Sequence, residues 1–190
     1  SMLIGEPGTA KSWLSELLAC AISGKSTLTI QCGAITNINQ LLYSWNDALV
    51  KSSGPTKAAL IGSPIYQGME KGQLVRFEEL ARCPQFIQDA ILSIMSERQI
   101  QIPELGEADS ILYAKEGFNI IATSNSLDKG VHEMSAALKR RMNFETITPI
   151  QNLNDEIDVV AREAEKLIQR SGVDVKPTAE IIDVLVTIFH

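Results

Sequence analysis

The sequence is poor in histidine and in paired cysteines, and it has no long apolar run. Two histidines, His132 and His190, are too few and too isolated to form a zinc site. Three cysteines, Cys20, Cys32 and Cys83, are odd in number and widely spaced, which predicts reduced thiols and no disulfide framework. The apolar runs are too short to span a bilayer, and we see no signal peptide. We therefore expect a soluble, cytoplasmic protein without a membrane partner.

Positive charge is also in deficit. The chain carries 17 Lys and Arg against 23 Asp and Glu, which gives a formal net charge of −6. Because a general nucleic-acid binder needs a basic face, this balance argues against nucleic acid as a partner, although it leaves room for a local basic patch. The apolar content of 45% is ordinary for a globular protein and sufficient for a hydrophobic core.

The most informative segment is a short loop that follows the apolar residues Met2–Ile4. Its residues are Gly5, Glu6, Pro7, Gly8, Thr9, Ala10, Lys11 and Ser12. Glycines let a backbone turn tightly and point N–H groups at phosphate oxygens, and a following helix N-terminus adds partial positive charge. In such a phosphate-binding loop, Lys11 would reach the β- and γ-phosphates and the Ser12 hydroxyl would bind Mg²⁺. The simpler alternative is an ordinary Gly/Pro turn before a helix.

Hydrophobic periodicity predicts alternating strands and helices beyond this loop. The predicted strands are Leu28–Cys32, Gln73–Phe77, Gln99–Pro103, Ile111–Ala114, Phe118–Thr123 and Phe144–Ile147. Asn37–Val50 is predicted to be one helix, and Pro84 is predicted to begin another. The alternation indicates a three-layer α/β fold with a parallel sheet.

The character of the sequence changes near Thr148–Pro149, after which two amphipathic helices are predicted. We therefore divide the chain into an α/β core, residues 1–148, and part of an α-helical subdomain, residues 149–190. The strand before the loop is short and the last helix has no stop signal, so we expect the chain to be truncated at both ends.

Two acids stand at the end of the strand that precedes Pro84. The carboxyl edge of a parallel sheet is where such folds bind ligands, and Glu78 and Glu79 follow the strand there. One carboxylate would hold Mg²⁺ and the next would polarise an attacking water. Taken without the loop, the same pair could also be two solvated acids at the end of a strand.

Polar residues downstream complete the pattern. The strand Phe118–Thr123 continues into Ser124 and Asn125, whose side chain would reach between a terminal phosphate and a water, unless it is a turn residue. Arg140 and Arg141 follow a short predicted helix that could present an arginine to a neighbouring subunit. The alternative for these two residues is a solvated basic cluster.

Together these motifs resemble those of AAA+ ATPases, and most closely the MoxR-like branch of that family. The loop GEPGTAKS is similar to the Walker A motif of the branch, with Ala10 where the strict pattern has Gly. The run LVRFEELARCPQFIQDAILSIMSERQIQIP is similar to the stretch around Walker B, FNIIATSN to the sensor 1 strand, and MSAALKRRMNF to the arginine-finger segment. The resemblance covers most of residues 3–150.

The resemblance implies a P-loop NTPase core that hydrolyses ATP, with part of a helical lid after residue 148. It implies that the loop from Gly5 to Ser12 binds ATP, that Ser12 and Glu78 bind Mg²⁺, and that Glu79 is the catalytic acid. It also implies that Asn125 is sensor 1 and that Arg140 or Arg141 acts on a neighbouring subunit. The family works as a ring, commonly a hexamer, and the branch implies a remodelling or metal-insertion chaperone with a protein client.

Three departures from the family pattern matter. Glu78 stands where Asp is usual, Arg76 interrupts an apolar buried strand and needs a partner, and no sensor 2 arginine can be assigned. Arg76 and Glu78 keep a second interpretation open, in which ATP only switches the affinity of a binding or scaffold module with little turnover. A DNA-linked AAA+ motor is a third interpretation, against which the acidic balance argues.

Overall fold

The computed structural model describes residues 1–106, 109–125, 134–172 and 177–189. His132 and His190 lie outside the described residues. The chain divides into two compact units, Ser1–Ile147 and Thr148–His190. None of the described helices is both long enough and apolar enough to cross a membrane.

Short strands and helices alternate along the chain. The strands are β1 (Met2–Gly5), β2 (Thr29–Gln31), β3 (Tyr43–Trp45), β4 (Leu60–Gly62), β5 (Leu74–Glu78), β6 (Gln99–Gln101), β7 (Ile111–Tyr113), β8 (Asn119–Asn125) and β9 (Phe144–Ile147). The helices are α1 (Lys11–Ser23), α2 (Ile38–Leu41), α3 (Asp47–Ser53), α4 (Pro64–Lys71), α5 (Gln85–Glu97), α6 (Ala136–Lys139), α7 (Leu153–Ser171) and α8 (Ala179–Phe189). Helices α7 and α8 form the second unit, where they pack against each other.

A parallel sheet forms the centre of the first unit. Within the described residues its strand order is β2-β5-β8-β1-β9, and every neighbouring pair is parallel. Because all strands run the same way, their carboxyl ends lie along one edge. The parallel α/β fold predicted from the sequence is therefore confirmed.

The two faces of β5 have different characters, because successive side chains of a strand point to opposite sides. Val75 and Phe77 belong to the larger hydrophobic cluster, which also contains residues of α5. On the other face, Leu74 joins a small cluster with Ala19 of α1. Arg76 and Glu78 share this second face, so the strand directs two charged side chains toward α1.

The predicted helix Asn37–Val50 is wrong. The segment instead contains α2, β3 and the start of α3, and β3 pairs antiparallel with β4. The physical reason lies in two asparagines. The Asn37 side chain accepts a hydrogen bond from Gln40 N–H and begins α2, and the Asn46 side chain accepts from Ala48 and Leu49 N–H and begins α3. A second N-cap inside the segment breaks a continuous helix.

Candidate functional site

The predicted phosphate-binding loop connects β1 to α1 by a tight turn. A Cβ atom at Gly5 would collide with the backbone carbonyl oxygen of Ile147, so only glycine fits beside β9 at this point. Gly8 has φ +86°, in the region that favours glycine. Ala10 also adopts a left-handed conformation, with φ 57° and ψ 25°, and it stands where the strict pattern has Gly. The backbone at Ala10 therefore has the left-handed conformation that glycine would adopt there, which strains a residue with a Cβ atom.

Lys11, the first residue of α1, lies inside the loop. Its side chain is buried, and Nζ donates hydrogen bonds to the Glu6 carbonyl oxygen at 2.5 Å and to Thr9 Oγ1 at 3.2 Å. Thr9 Oγ1 in turn donates to the same Glu6 carbonyl at 2.9 Å. The loop thus curls around an ammonium group at the N-terminus of a 13-residue helix, and both features favour an anion.

Ser12 connects the loop to the carboxyl edge of the sheet. Its Oγ donates a hydrogen bond of 2.6 Å to Glu78 Oε2, and Thr123 Oγ1 of β8 donates to the same oxygen at 2.7 Å. Glu78 is the last residue of β5, rather than the first residue after it. The glutamate side chain, which is longer than the aspartate usual at this position, reaches the Ser12 hydroxyl directly.

The second oxygen of Glu78 has its own partners. Oε1 accepts hydrogen bonds from Ser15 Oγ at 3.0 Å and from Arg76 Nη2 at 2.8 Å. Burial alone would raise the pKa of Glu78, but the hydrogen bonds from Ser12, Thr123 and Ser15 and the charge of Arg76 together lower it below its usual range. The Glu78 side chain is thus a buried, ionised carboxylate with four donors.

Glu79 lies in a different environment, although it is the next residue. Its backbone has φ 56° and ψ 50°, a left-handed conformation that turns the chain out of the strand. Its N–H donates to Thr123 Oγ1 at 3.1 Å. The carboxylate is 41% exposed and forms an ion pair of 3.0 Å with Arg82 Nε. Glu79 is therefore beside the Glu78 cluster but faces solvent.

Asn125 lies at the same edge. It is the last residue of β8, and its register partner on β1 is Gly5, the first residue of the loop. Its side chain is half-buried. The structure thus brings Asn125 beside the predicted phosphate-binding loop, and its role toward a phosphate and a water stays a prediction.

Arg140 and Arg141 follow α6 and are exposed. The segment is anchored on either side by buried Leu138 and Met142, and it leads into β9, which pairs with β1. Among the described residues, no hydrogen bond or ion pair joins either arginine side chain to the loop or to Glu78. The structure therefore does not bring these two predicted residues together with the others.

Residues 1–142 match the profile of the AAA domain, dynein-related subfamily. The chain belongs to this family. It is 52% identical over 189 residues to the uncharacterized protein YehL of Escherichia coli (strain K12), covering all of this chain and 52% of YehL. It is 25% identical over 141 residues to the uncharacterized protein SH1500 of Staphylococcus haemolyticus (strain JCSC1435), covering 74% of this chain and 52% of that protein. The chain thus spans about half the length of these curated relatives.

Solved structures of NtrX from Brucella abortus share the fold of this AAA domain. The complex with ADP matches with a TM-score of 0.64 at 15% identity, over 93% of this chain and 38% of NtrX. The complex with ATP matches with a TM-score of 0.61 at 12% identity, over 90% and 38%. At this level of identity the likeness concerns the fold alone, and that fold is an α/β P-loop core of the AAA+ type.

Two residues of the AAA domain's charged cluster were not predicted from the sequence. Ser15 and Thr123 both donate to Glu78, from α1 and β8. Ser15 lies one helical turn after Ser12, on the same face of α1, and this spacing is the signal that could have identified it. Arg76 was expected to need a partner, and the alternation of β5 places that partner, Glu78, two residues away on the same face.

Proposed function

We propose that this AAA domain binds ATP with Mg²⁺ and hydrolyses it to ADP and phosphate. The observation that carries the proposal is the 2.6 Å hydrogen bond from Ser12 Oγ to Glu78. It joins the phosphate-binding loop to the acidic end of β5, so groups that would hold phosphate, metal and attacking water lie within one small region.

The phosphates would bind in the loop from Gly5 to Ser12. Lys11 would exchange its contacts with Glu6 and Thr9 for contacts with the β- and γ-phosphates, and the N-terminus of α1 would face the same oxygens. The two NtrX structures were solved with ADP and with ATP, which supports a nucleotide in this fold.

Ser12 and Glu78 would hold Mg²⁺. Their hydroxyl and carboxylate oxygens are the ligand types that this cation prefers, and Mg²⁺ takes one or two such protein ligands together with substrate phosphates. When bound, the cation would neutralise charge on the phosphate oxygens. The donor chemistry of this pair therefore fits the metal that the family resemblance implies.

Glu79 would act as the base in hydrolysis. A water oxygen attacks the γ-phosphorus, the bond from that phosphorus to the bridging oxygen breaks, and the water proton passes to the Glu79 carboxylate. To reach that water, Glu79 must leave its ion pair with Arg82, which is exposed and therefore weak. Asn125, beside Gly5, would orient the same water.

We further propose that the domain works in a ring, commonly of six subunits, in the cytoplasm. Arg140 or Arg141 would then complete the site of the neighbouring subunit. The motif set supports a MoxR-like remodelling or metal-insertion chaperone that acts on a protein client, with residues 149–190 as part of a lid. A DNA-linked motor is less well supported, because the net charge is −6.

A second candidate function is a nucleotide-switched binding or scaffold module with little turnover. It is favoured by the two arginine contacts at the acids, because Glu78 is paired with Arg76 and Glu79 with Arg82. In such a module, ATP would change the affinity for a partner without frequent hydrolysis.

Steady-state ATP hydrolysis and calorimetric ATP binding separate the two candidates. Glu79→Gln is expected to keep ATP binding and lose most turnover, and Glu78→Gln to weaken the dependence on Mg²⁺. Lys11→Ala should abolish binding or turnover. Glu116→Gln and Lys115→Ala, at exposed positions of the same unit, are the matched controls. Unchanged hydrolysis by Glu79→Gln in an assembly-competent preparation would contradict the assigned base, and low turnover by every variant and by wild type would favour the scaffold module.

A further inference from the structure

The guanidinium of Arg76 is the centre of a buried cluster. Nη2 donates to Glu78 Oε1 at 2.8 Å and to the Ser12 carbonyl oxygen at 3.0 Å, and Nε donates to Ser15 Oγ at 3.0 Å. Nη1 lies 3.9 Å from the half-exposed Glu16 carboxylate. One arginine thus contacts both α1, where the phosphate-binding loop ends, and the carboxylate that would hold the metal.

The contacts leave Glu78 with its charge already balanced. The Arg76 and Glu78 side chains are only 8% and 5% exposed, so little water screens their attraction. An arginine stays protonated even when buried, and its planar donors suit carboxylate recognition. A divalent cation that approached Glu78 without nucleotide would therefore meet a carboxylate in direct contact with a guanidinium, whose positive charge opposes the approach of the cation.

We propose that Arg76 is a positioning residue that makes capture of a divalent cation at Glu78 depend on bound nucleotide. This inference rests on the proposed function, in which Ser12 and Glu78 hold Mg²⁺. Without nucleotide, the Arg76–Glu78 pair attracts a cation weakly. With ATP in the loop, the phosphates supply the missing negative charge, and Arg76 keeps the Glu78 carboxylate fixed against Ser12.

The Arg76 guanidinium is a unit positive charge in contact with the carboxylate. At such short range a unit charge changes an interaction by well over a factor of ten at the effective dielectric of protein sites. Removing the charge should therefore raise the affinity for a cation alone. A residue that only held β5 to α1 would not produce this gain, because its loss would loosen the site.

The test is a titration with Mn²⁺ alone, followed by the electron paramagnetic resonance signal of the free ion, on folded protein without nucleotide. Wild type and Arg76→Lys should bind Mn²⁺ weakly. Arg76→Gln, which keeps a donor without the charge, and Arg76→Met should bind it at least about tenfold more tightly. Arg76→Met/Glu78→Gln should lose that gain.

Three outcomes would overturn the inference. Micromolar binding of Mn²⁺ by wild type without nucleotide would do so whatever the variants show. Mn²⁺ affinities of folded Arg76→Gln and Arg76→Met within twofold of the wild-type affinity would also overturn it. Failure of both variants to fold would overturn it as well, because Arg76 would then be required for the fold. Calorimetry with ATP and Mg²⁺ on wild type and Lys11→Ala keeps the two proposals apart. Equal ATP affinities there overturn the proposed function, whereas a large difference together with unchanged Mn²⁺ affinities overturns only the role of Arg76.

Discussion

The buried cluster around Glu78 and the exposed charged residues near it are built in opposite ways. In the cluster, the donors to one carboxylate come from α1, β5 and β8 among the described residues, and Glu78 and its partner Arg76 are nearly inaccessible to water. Arg82, Arg140 and Arg141 are exposed, the Glu79 side chain is 41% exposed, and the ion pair between Glu79 and Arg82 is solvated.

The difference separates charged residues whose partners all lie within one chain from charged residues that are open to partners outside it. A buried charge must be balanced within the fold, because an uncompensated one costs several kcal/mol. The exposed residues bear no such constraint, so they can exchange partners with water, phosphate or a neighbouring subunit. Substitutions in each group test this separation, and the exposed arginines offer the strongest test.

Loss of the arginine that we propose acts on the neighbouring subunit should have the largest effect. An arginine finger neutralises charge in the transition state and is worth about 10³–10⁵ in rate in the GTPases. We expect Arg140→Ala/Arg141→Ala to lose turnover far more than ATP binding, and hydrolysis by wild type to rise with protein concentration. Single substitutions then identify which arginine is responsible, and Lys139→Ala, an exposed cation in the same segment, is the control.

The measurement is ATP hydrolysis after mixing two inactive variants. Lys11→Ala subunits keep their arginines, and Arg140→Ala/Arg141→Ala subunits keep their loop. Recovered activity supports action between subunits. If the mixture stays inactive despite demonstrated co-assembly, or if the arginine variant alone turns over normally, the role is wrong.

Breaking the buried pair should have the next largest effect, on stability. Glu78→Gln leaves the Arg76 guanidinium without its carboxylate, and Arg76→Met leaves the carboxylate without its guanidinium. Each should lower the free energy of unfolding by about 3–5 kcal/mol. The double variant Arg76→Met/Glu78→Gln should cost less than the sum, because neither charge is then left uncompensated.

Urea unfolding in the absence of metal and nucleotide measures this cycle. Glu163→Gln, which breaks the exposed pair of Glu163 with Lys166, is the control and should leave the unfolding midpoint nearly unchanged. Additive losses in the double variant would mean that Arg76 and Glu78 are stabilised by other neighbours and not by each other.

The sequence predicted the loop and the strand positions well because both are local patterns. Buried strands such as β5 and β8 are recognised from their apolar residues, although Arg76 interrupts the pattern in β5, and the glycines of the loop mark its turn. The segment Asn37–Val50 failed because its apolar spacing fits a helix while Asn46 caps a new one. Arg76 on β5 contacts Ser15 on α1, and this contact between two elements is visible only in the fold, although the spacing from Ser12 could have marked Ser15 as a candidate. The roles of Glu79, Asn125 and the arginines stay predictions.

Ala10→Gly should have a smaller effect and the opposite sign. Ala10 is left-handed, which costs a residue with a Cβ about 1–2 kcal/mol, and glycine removes this strain. Part of the gain is offset because glycine is more flexible in the unfolded chain, so we expect a net stabilisation of about 0.5–1 kcal/mol. Ala21→Gly within α1 is the matched control and should destabilise by about 0.5–1 kcal/mol. Equal losses for both variants in urea unfolding would show that the loop is not strained at Ala10.

Arg82→Ala should have the smallest effect on stability, and it sharpens the contrast between the two neighbouring acids. Its ion pair with Glu79 is 3.0 Å long, close to the 2.8 Å of the Arg76–Glu78 pair, but both partners are more than 40% exposed. Solvent screens such a pair and its side chains lose entropy on pairing, so we expect a change of no more than about 0.5 kcal/mol in urea unfolding. Two ion pairs of nearly equal length would then differ greatly in the free energy of unfolding lost when each is broken, and the difference would be explained by burial. A loss as large as that of Arg76→Met would instead show that Glu79 is held as firmly as Glu78, which would leave it poorly suited to turn toward a water.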